Sequence, residues 1–214
     1  MKINRYVSDL MFSNMYLLTE NGHSIIIDPW IRCKVPDQLC MDFILVTHEH
    51  YDHISGVNRF KDIYHTPLLC SRSCGERISD SRKNMARYFE AFSQIQTYGE
   101  QDSSVQIDTN YTCKADIVFE QRISFEWQGN KICLREMPGH SPGSIGIMIN
   151  DSIFFSGDSL LPDREVELRF PGGSKDDWEE QSAKIIESLS DDVKIYPGHR
   201  HDFVMKQRRN HGVF

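Results

Sequence analysis

The junction between Phe43–Thr47 and the residues behind it constrains this chain more than any other feature. FILVT is a short, nearly continuous apolar run that reads as a buried strand, and His48, Glu49, His50, Tyr51, Asp52 and His53 follow it with no spacer. The pattern H-x-H-x-D-H thus packs four metal-capable side chains into six residues, on the loop leaving the carboxyl end of a strand. Rigid scaffolds hold reactive groups at such places. Imidazole and carboxylate are ligands suited to zinc, iron or manganese at hydrolytic sites. An isolated His-x-His is as readily a solvated polar loop, so the remainder of the chain has to decide between the two.

Further short apolar runs punctuated by turn residues occur along the chain. Ser24–Asp28 (SIIID) is stopped by Pro29, and strands are predicted from Ile123 (ISFEW), Lys131 (KICLREM), Ile145 (IGIMI), Ser152 (SIFFSGD) and in VKIYPG, with Gly129 and Asn130 marking a hairpin. From Glu76 to Phe92, Ile78, Met85, Tyr88, Phe89 and Phe92 fit one face of a surface helix. Ser174 with Asp177 three residues on predicts a capped helix carrying Trp178, Ile185, Ile186 and Leu189 on one stripe. Strands dominate, the helices are expected to be few and long, and no linker divides the chain, so one mixed α/β domain over 1–214 is expected. The halves are loosely alike, each delivering polar residues at strand ends. His140 lies in PGHSPGS, Asp158 in FSGDSL and His199 in YPGH, each beside glycines and prolines that let backbone approach a crowded centre.

Composition narrows the function classes. The 214 residues suffice for a layered core without staples, and no apolar run nears the roughly 18 residues of a membrane span. Twenty-four Lys plus Arg against thirty-one Asp plus Glu leave a formal charge of −7, which disfavours a nucleic-acid partner. The amino-terminal residues lack the h-region of a secretory signal, so a cytoplasmic protein with reduced thiols is expected. Cys33, Cys40, Cys70, Cys74, Cys113 and Cys133 contain no C-x-x-C and are read as structural. His23, His65 and His211 are read as surface or satisfied core residues, whereas His201, two residues beyond His199, stands near enough to reach the mouth of a site. Tyr51, inside the histidine run, is the one aromatic weighed as a substrate platform.

HEHYDH, GHSPGS, SGD and PGH in this order resemble the metallo-β-lactamase superfamily, and more narrowly its small glyoxalase II-like hydrolases, from about Asn14 to His199. The resemblance implies an αββα sandwich of two mixed sheets with helices outside and the site at one edge. It implies that His48, His50 and His140 hold one divalent metal ion, that Asp52, His53 and His199 hold a second, and that Asp158 bridges them. Zinc is the expected ion, with iron or manganese as alternatives. Alternate residues of an extended loop would turn His48 and His50 to one ion and Asp52 and His53 to the other. A metal-activated water would then attack a small thioester or ester, with Asp52 also steering its proton, and no nucleophilic Ser or Cys is needed. Ser141, Ser144 and Ser159 are read as turn residues.

The similarity thins at VELRFPGGS: Phe170 to Ser174 match the family stretch, but Glu167 stands where Arg is usual and Arg169 where Asp is usual. Fifteen residues follow His199, against the helical extension of full-length glyoxalase II, so the acyl thioester assignment is weaker than that of the superfamily. A lactonase, a phosphodiesterase and a single-iron sulfur dioxygenase acting on a persulfide are the competing readings, and a metal-binding partner protein without catalysis is the reading from outside enzymology. The metal-centre pattern implies a small-molecule substrate and leaves the oligomeric state open.

Overall fold

A computed structural model of the chain describes residues 1–36, 38–91 and 106–210. Six strands form the first sheet in sequence order: β1 (Lys2–Val7), β2 (Asn14–Glu20), β3 (His23–Ile27), β4 (Cys40–Leu45), β5 (Leu68–Ser71) and β6 (Ile117–Phe119). β1, β2 and β3 pair antiparallel, and β3 to β6 pair parallel. The second sheet comprises β7 (Arg122–Trp127), β8 (Asn130–Glu136), β9 (Ile145–Ile149), β10 (Ile153–Gly157), β11 (Lys194–Pro197) and β12 (Phe203–Val204), in the order β12-β11-β10-β9-β8-β7. Only β10 and β11 are parallel there.

Alternation along the buried strands explains the layering. Tyr16, Leu18, Ile25, Ile27 and Leu45 of the first sheet meet Ile132, Leu134, Ile145, Ile147, Ile149 and Phe155 of the second in one apolar layer. The intervening residues Met15, Leu17, Ile26 and Ile44 face outward onto helices α1 (Tyr51–Ile54), α2 (Val57–Tyr64) and α3 (Arg72–Ile78) through Ile54, Val57, Phe60 and Ile78. On the other side Phe154 and Ile195 pack with Ile186, Leu189 and Met205. Strands buried on both faces must be apolar throughout, which is why they read as runs rather than alternations. The result is two mixed sheets packed face to face with helices outside, the αββα arrangement that the motifs imply.

Several local expectations are met. IGIMI is β9 as expected, SIIID is met by β3 one residue earlier, and FILVT only overlaps β4, which starts at Cys40 and ends at Leu45. Gln128 and Gly129, both at positive φ, close a two-residue turn between paired Trp127 and Asn130. Ser174 Oγ accepts the Asp177 backbone N–H at 3.2 Å, as its capping pattern requires. Others are corrected. The expected helix over Glu76–Phe92 is broken: α3 ends at Ile78, turns follow, and Met85 takes a left-handed φ of 69° before a 3₁₀ turn at Ala86–Tyr88. Its apolar spacing served core contacts from separate turns, with Ile78, Ala86 and Phe89 in one cluster. Phe92 lies outside the described residues. α1, α2 and α3 are short, at most eight residues, whereas the helix expected after Ser174 forms without a break from Lys175 to Glu187, passing through a π turn at Trp178–Ser182. β1, β2, β5, β6 and β12 are absent from the predicted strands, although β2 and β5 are apolar and buried. Among the described residues no helix is long and apolar enough to cross a membrane.

Candidate metal centre

The carboxyl ends of β3, β4, β8, β10 and β11 converge on one edge of the sandwich. Backbone contacts tie the two sheets together there: Ile145 N–H donates to Thr47 O at 2.8 Å, and Asn14 N–H to Gly198 O at 2.6 Å. Ser13 and His199 form an isolated bridge across the same seam. Gly198 has to be glycine, because a Cβ would collide with Asp158 Oδ1 and stand 3.0 Å from His53 Cε1.

All seven candidate side chains gather at this edge. His48, His50 and His140 bring ligand atoms within 4.8 Å of one another, and so do Asp52, His53 and His199. Asp158 lies between the groups: its Oδ2 is 3.6 Å from His140 Nε2 and 3.3 Å from His199 Nε2, and its Oδ1 is 3.5 Å from His53 Nε2. Asp52 Oδ2 lies 3.4 Å from His53 Nε2 and 3.5 Å from His199 Nε2. His50 Nδ1 faces His140 Nε2 at 3.1 Å, and His53 Nε2 faces His199 Nε2 at 3.4 Å.

The local route to this geometry differs from the one expected. His50 is extended and is the N-cap of the helical turn α1, on which Asp52 and His53 sit. A helical turn, not strand alternation, brings these two to the second group. Tyr51 on that turn is buried, its ring edge-on to Phe89 and Tyr111 and its hydroxyl accepting the Asp108 N–H, so it faces away from the centre and is no substrate platform.

Four rings are held by their outward nitrogens. His48 Nδ1 contacts Thr47 Oγ1 at 3.0 Å, His53 Nδ1 contacts Asp28 Oδ2 at 3.0 Å, His140 Nδ1 reaches Glu167 O at 2.8 Å and His199 Nδ1 reaches Met11 O at 3.1 Å. Such partners fix ring orientation and leave Nε2 directed inward. His48 Nε2 and Asp158 Oδ1 are both buried and find no hydrogen-bond partner among the described residues. Leaving buried polar atoms unpaired costs about 1–3 kcal/mol each, so a missing partner of the centre itself is called for. Five imidazoles and two carboxylates form a donor set suited to a borderline-soft divalent ion.

Without an ion the titration of these groups is divided. Burial, reinforced by neighbouring imidazoles, drives His48 and His50 well below the ordinary histidine value. Burial also opposes charge on His53, but Asp52, Asp158 and Asp28 outweigh it and raise His53 to about 10. His199 is likewise raised, by Asp158 and Asp52 against burial. Burial would raise Asp158, yet His199 and His53 pull it well below the carboxylate range, whereas Asp52 stays raised because burial outweighs the same two rings.

Two supporting carboxylates escaped the sequence reading. Asp28 accepts Thr47 N–H at 2.7 Å and Thr47 Oγ1–H at 2.6 Å in addition to holding His53. Glu49, fully buried, accepts the Ser141 hydroxyl at 2.7 Å and pairs with Arg77 Nε. Asp28 looked like a strand end and Glu49 like a spacer; the usable signal was an acidic residue at the end of the strand beside the histidine strand. Ser141 and Ser144 hydrogen-bond each other at 2.9 Å, consistent with turn roles. The Glu167 and Arg169 side chains pair with each other, Arg169 Nε and NH2 donating at 2.8 and 2.6 Å, so the exchanged charges satisfy one another while the Glu167 carbonyl serves His140. His65 and His201 are exposed, His23 pairs with Asp42 at 2.9 Å, and His211 lies outside the described residues. All six cysteines are free thiols.

Comparisons with known proteins agree with this architecture. The family model described as the metallo-beta-lactamase superfamily matches residues 8–199. A probable metallo-hydrolase of Streptococcus pyogenes serotype M6 is 22% identical over 222 residues, covering 100% of this chain and 90% of that protein. A hydroxyacylglutathione hydrolase of Psychromonas ingrahamii is 27% identical over 194 residues, covering 86% of this chain but only 59% of its own length. The crystal structure of the B3 metallo-beta-lactamase BLEG-1 superposes with a TM-score of 0.81 at 21% identity, over 98% of this chain and 97% of that one.

Proposed function

The chain belongs to the metallo-beta-lactamase superfamily, and from that premise we propose that it is a hydrolase of small thioesters or related esters, working with two divalent ions, zinc foremost. His48, His50 and His140 would hold one ion and Asp52, His53 and His199 the other, with Asp158 shared. The observation that carries this reading is the inward convergence of anchored imidazoles on two buried atoms, His48 Nε2 and Asp158 Oδ1, that have no hydrogen-bond partner among the described residues. When bound, such ions polarise a carbonyl and lower the pKa of water towards neutrality.

The chain's own residues supply the rest. Asp28, Thr47 and the Glu167 and Met11 carbonyls orient the rings. Asp52, whose carboxyl is raised by burial, is placed to accept or relay a proton at Oδ2. Phe170 sets its ring edge-on to His50 and His140, 5.7 and 5.9 Å between centroids, and walls the centre on that side. The Ser141 hydroxyl is engaged by Glu49, which fits water rather than serine as the nucleophile. The thioester class is supported by the similarity to a hydroxyacylglutathione hydrolase and by the FPGGS stretch at Phe170–Ser174. Because the chain spans about three fifths of that relative, the whole relative's substrate is not carried over.

The test is a metal analysis of protein purified without added metals, then a rate screen over acyl thioesters, lactones, phosphodiesters and a β-lactam. Two ions per chain and fastest turnover on a thioester are expected, with oxygen-18 from solvent entering the carboxylate in a single turnover. Saturation at one ion, together with consumption of molecular oxygen on a persulfide, would overturn it in favour of a dioxygenase. A covalent acyl-protein that forms and decays at the catalytic rate would overturn the water mechanism.

A further inference from the structure

At the opposite end of the first sheet, where β3 and β4 begin, lies a second gathering of ligand-type side chains. His23 and Cys40 are direct partners in the parallel β3–β4 register. The register then slips: Ser24 pairs with Met41 but Ile25 with Phe43, leaving Asp42 as the extra residue of a β-bulge. Bulges re-aim side chains. Here Asp42 is turned to the His23 ring, with Oδ1 and Oδ2 at 3.0 and 2.9 Å from Nδ1, while Cys40 Sγ lies 3.7 Å from the same nitrogen. Trp127, reaching across from β7, donates its Nε1–H to Asp42 Oδ2 at 2.7 Å and fixes the carboxylate from behind.

We propose that His23, Cys40 and Asp42 form a site for one borderline-soft divalent ion, of the zinc and cobalt class, separate from the seven-residue cluster. Around a tetrahedral zinc, a nitrogen and a thiolate sulfur stand about 3.6 Å apart and a nitrogen and a carboxylate oxygen about 3.4 Å. The sulfur contact of 3.7 Å already matches. The carboxylate must open from 2.9–3.0 Å by about 0.4 Å, a small side-chain rotation for groups that are 38% and 25% exposed at His23 and Asp42. A thiolate, a carboxylate and a neutral imidazole balance a doubly charged ion, and the outward position leaves room for water as the remaining ligand. The carboxylate gripped by an indole N–H is the kind of outer support that orients a metal ligand. Five residues of strand, roughly 16 Å, separate this end from Asp28, so the site does not share ligands with the other centre.

A thiolate ligand makes the site spectroscopically separable, because the seven-residue cluster contains no cysteine. The reduced full-length protein is titrated anaerobically with Co²⁺ and followed in the near ultraviolet for thiolate-to-cobalt charge transfer. The expected absorption reaches, in excess cobalt, the intensity of one thiolate-bound ion per chain, vanishes in Cys40→Ser, persists in Cys133→Ser and persists in Asp158→Ala, where the other centre is disrupted. After loading with excess zinc, Cys40→Ser should hold one ion fewer than the parent, the ion lost being additional to the two expected at the seven-residue cluster. Trp127→Phe should weaken cobalt binding about tenfold through the freed carboxylate. Cys40 is exposed, so its serine variant should fold; if it does not, His23→Gln, expected to bind cobalt at least about tenfold more weakly, carries the same test. No charge-transfer absorption in excess cobalt, or absorption that survives Cys40→Ser, overturns the site and leaves a His23–Asp42 ion pair beside an uninvolved thiol. Either outcome is independent of whether the other centre hydrolyses thioesters.

Discussion

The His48–His50–His140 group and the Asp52–His53–His199 group share Asp158 but reach similar geometry in different electrical states. In the first, burial and mutual repulsion keep His48 and His50 neutral, so the proposed ion would have no proton to displace from them. In the second, three carboxylates around His53 hold it protonated to about pH 10 when no ion is present. One group is preorganised by hydrophobic enclosure, the other by ion pairs that an incoming cation has to displace. Strand-end geometry alone therefore does not make equivalent sites; the neighbouring carboxylates decide which one stores a proton.

The largest way to break the comparison is to remove what both groups share. Asp158→Ala should lower kcat/KM by about a hundred- to thousandfold, with the sandwich still folded by circular dichroism. A variant that kept its rate would deny Asp158 any shared role. Next, Asp28→Asn removes the carboxylate behind His53 and should weaken the ion proposed for the Asp52–His53–His199 group about ten- to hundredfold, leaving the other affinity near its parent value. Equal loss at both sites, in competition titrations with a chromophoric chelator, would show that Asp28 serves the groups alike through Thr47.

Proton inventory sharpens the contrast further. Zinc binding at pH 8, measured calorimetrically in buffers of different ionisation enthalpy, should release about one proton from His53 with the ion of the second group and none from His48 or His50. The ion-free protein should follow suit in stability. His53 is raised on folding, so its contribution is fully present below the unfolded value near 6.5 and fades as pH climbs through about 10. His48 and His50 are lowered, so stability falls as pH drops below 6.5, where the unfolded chain takes up the protons. Denaturant midpoints should thus peak near neutrality and decline on both sides; a flat alkaline limb would refute the His53 assignment. The smallest effect is expected from Glu167→Ala. Arg169 draws the Glu167 carboxyl down to about 2, but the pair is solvent-facing and His140 leans on the carbonyl, which the variant keeps. Unfolding should shift by no more than about 1 kcal/mol, with activity unchanged.

Legibility along the chain followed the range of the interactions involved. H-x-H-x-D-H announced itself because the donors are adjacent in sequence and the strand before them is apolar on both faces. Asp28 and Glu49 did not, since their meaning depends on β3 lying beside β4 and on Arg77 and Ser141 arriving from elsewhere. The broken segment between α3 and Phe89 misled for a related reason: apolar residues spaced like a helix face were spent on turns that reach the same core. His23 and Cys40 were read separately, as a surface or core histidine and a structural thiol, because a register slip, invisible in composition, turns the bulged Asp42 towards them.

By itself the sequence determined most strands of the second sheet, the apolar runs of β3 and β4, the β7–β8 turn, the Ser174 cap and the identities of the side chains that gather at the sheet edge. These rest on local patterning, in which each residue's preference is decided within a few neighbours. Only the tertiary structure decided that Asp52 and His53 leave a helical turn, which nitrogen of each ring points inward, which imidazoles carry a proton, and which backbone carbonyls hold them. Those properties come from groups such as Met11 and His199, 188 residues apart, that meet only when two sheets have packed and water has been expelled from between their ends. Burial then sets charge, and charge separates two groups of similar side chains into two different sites.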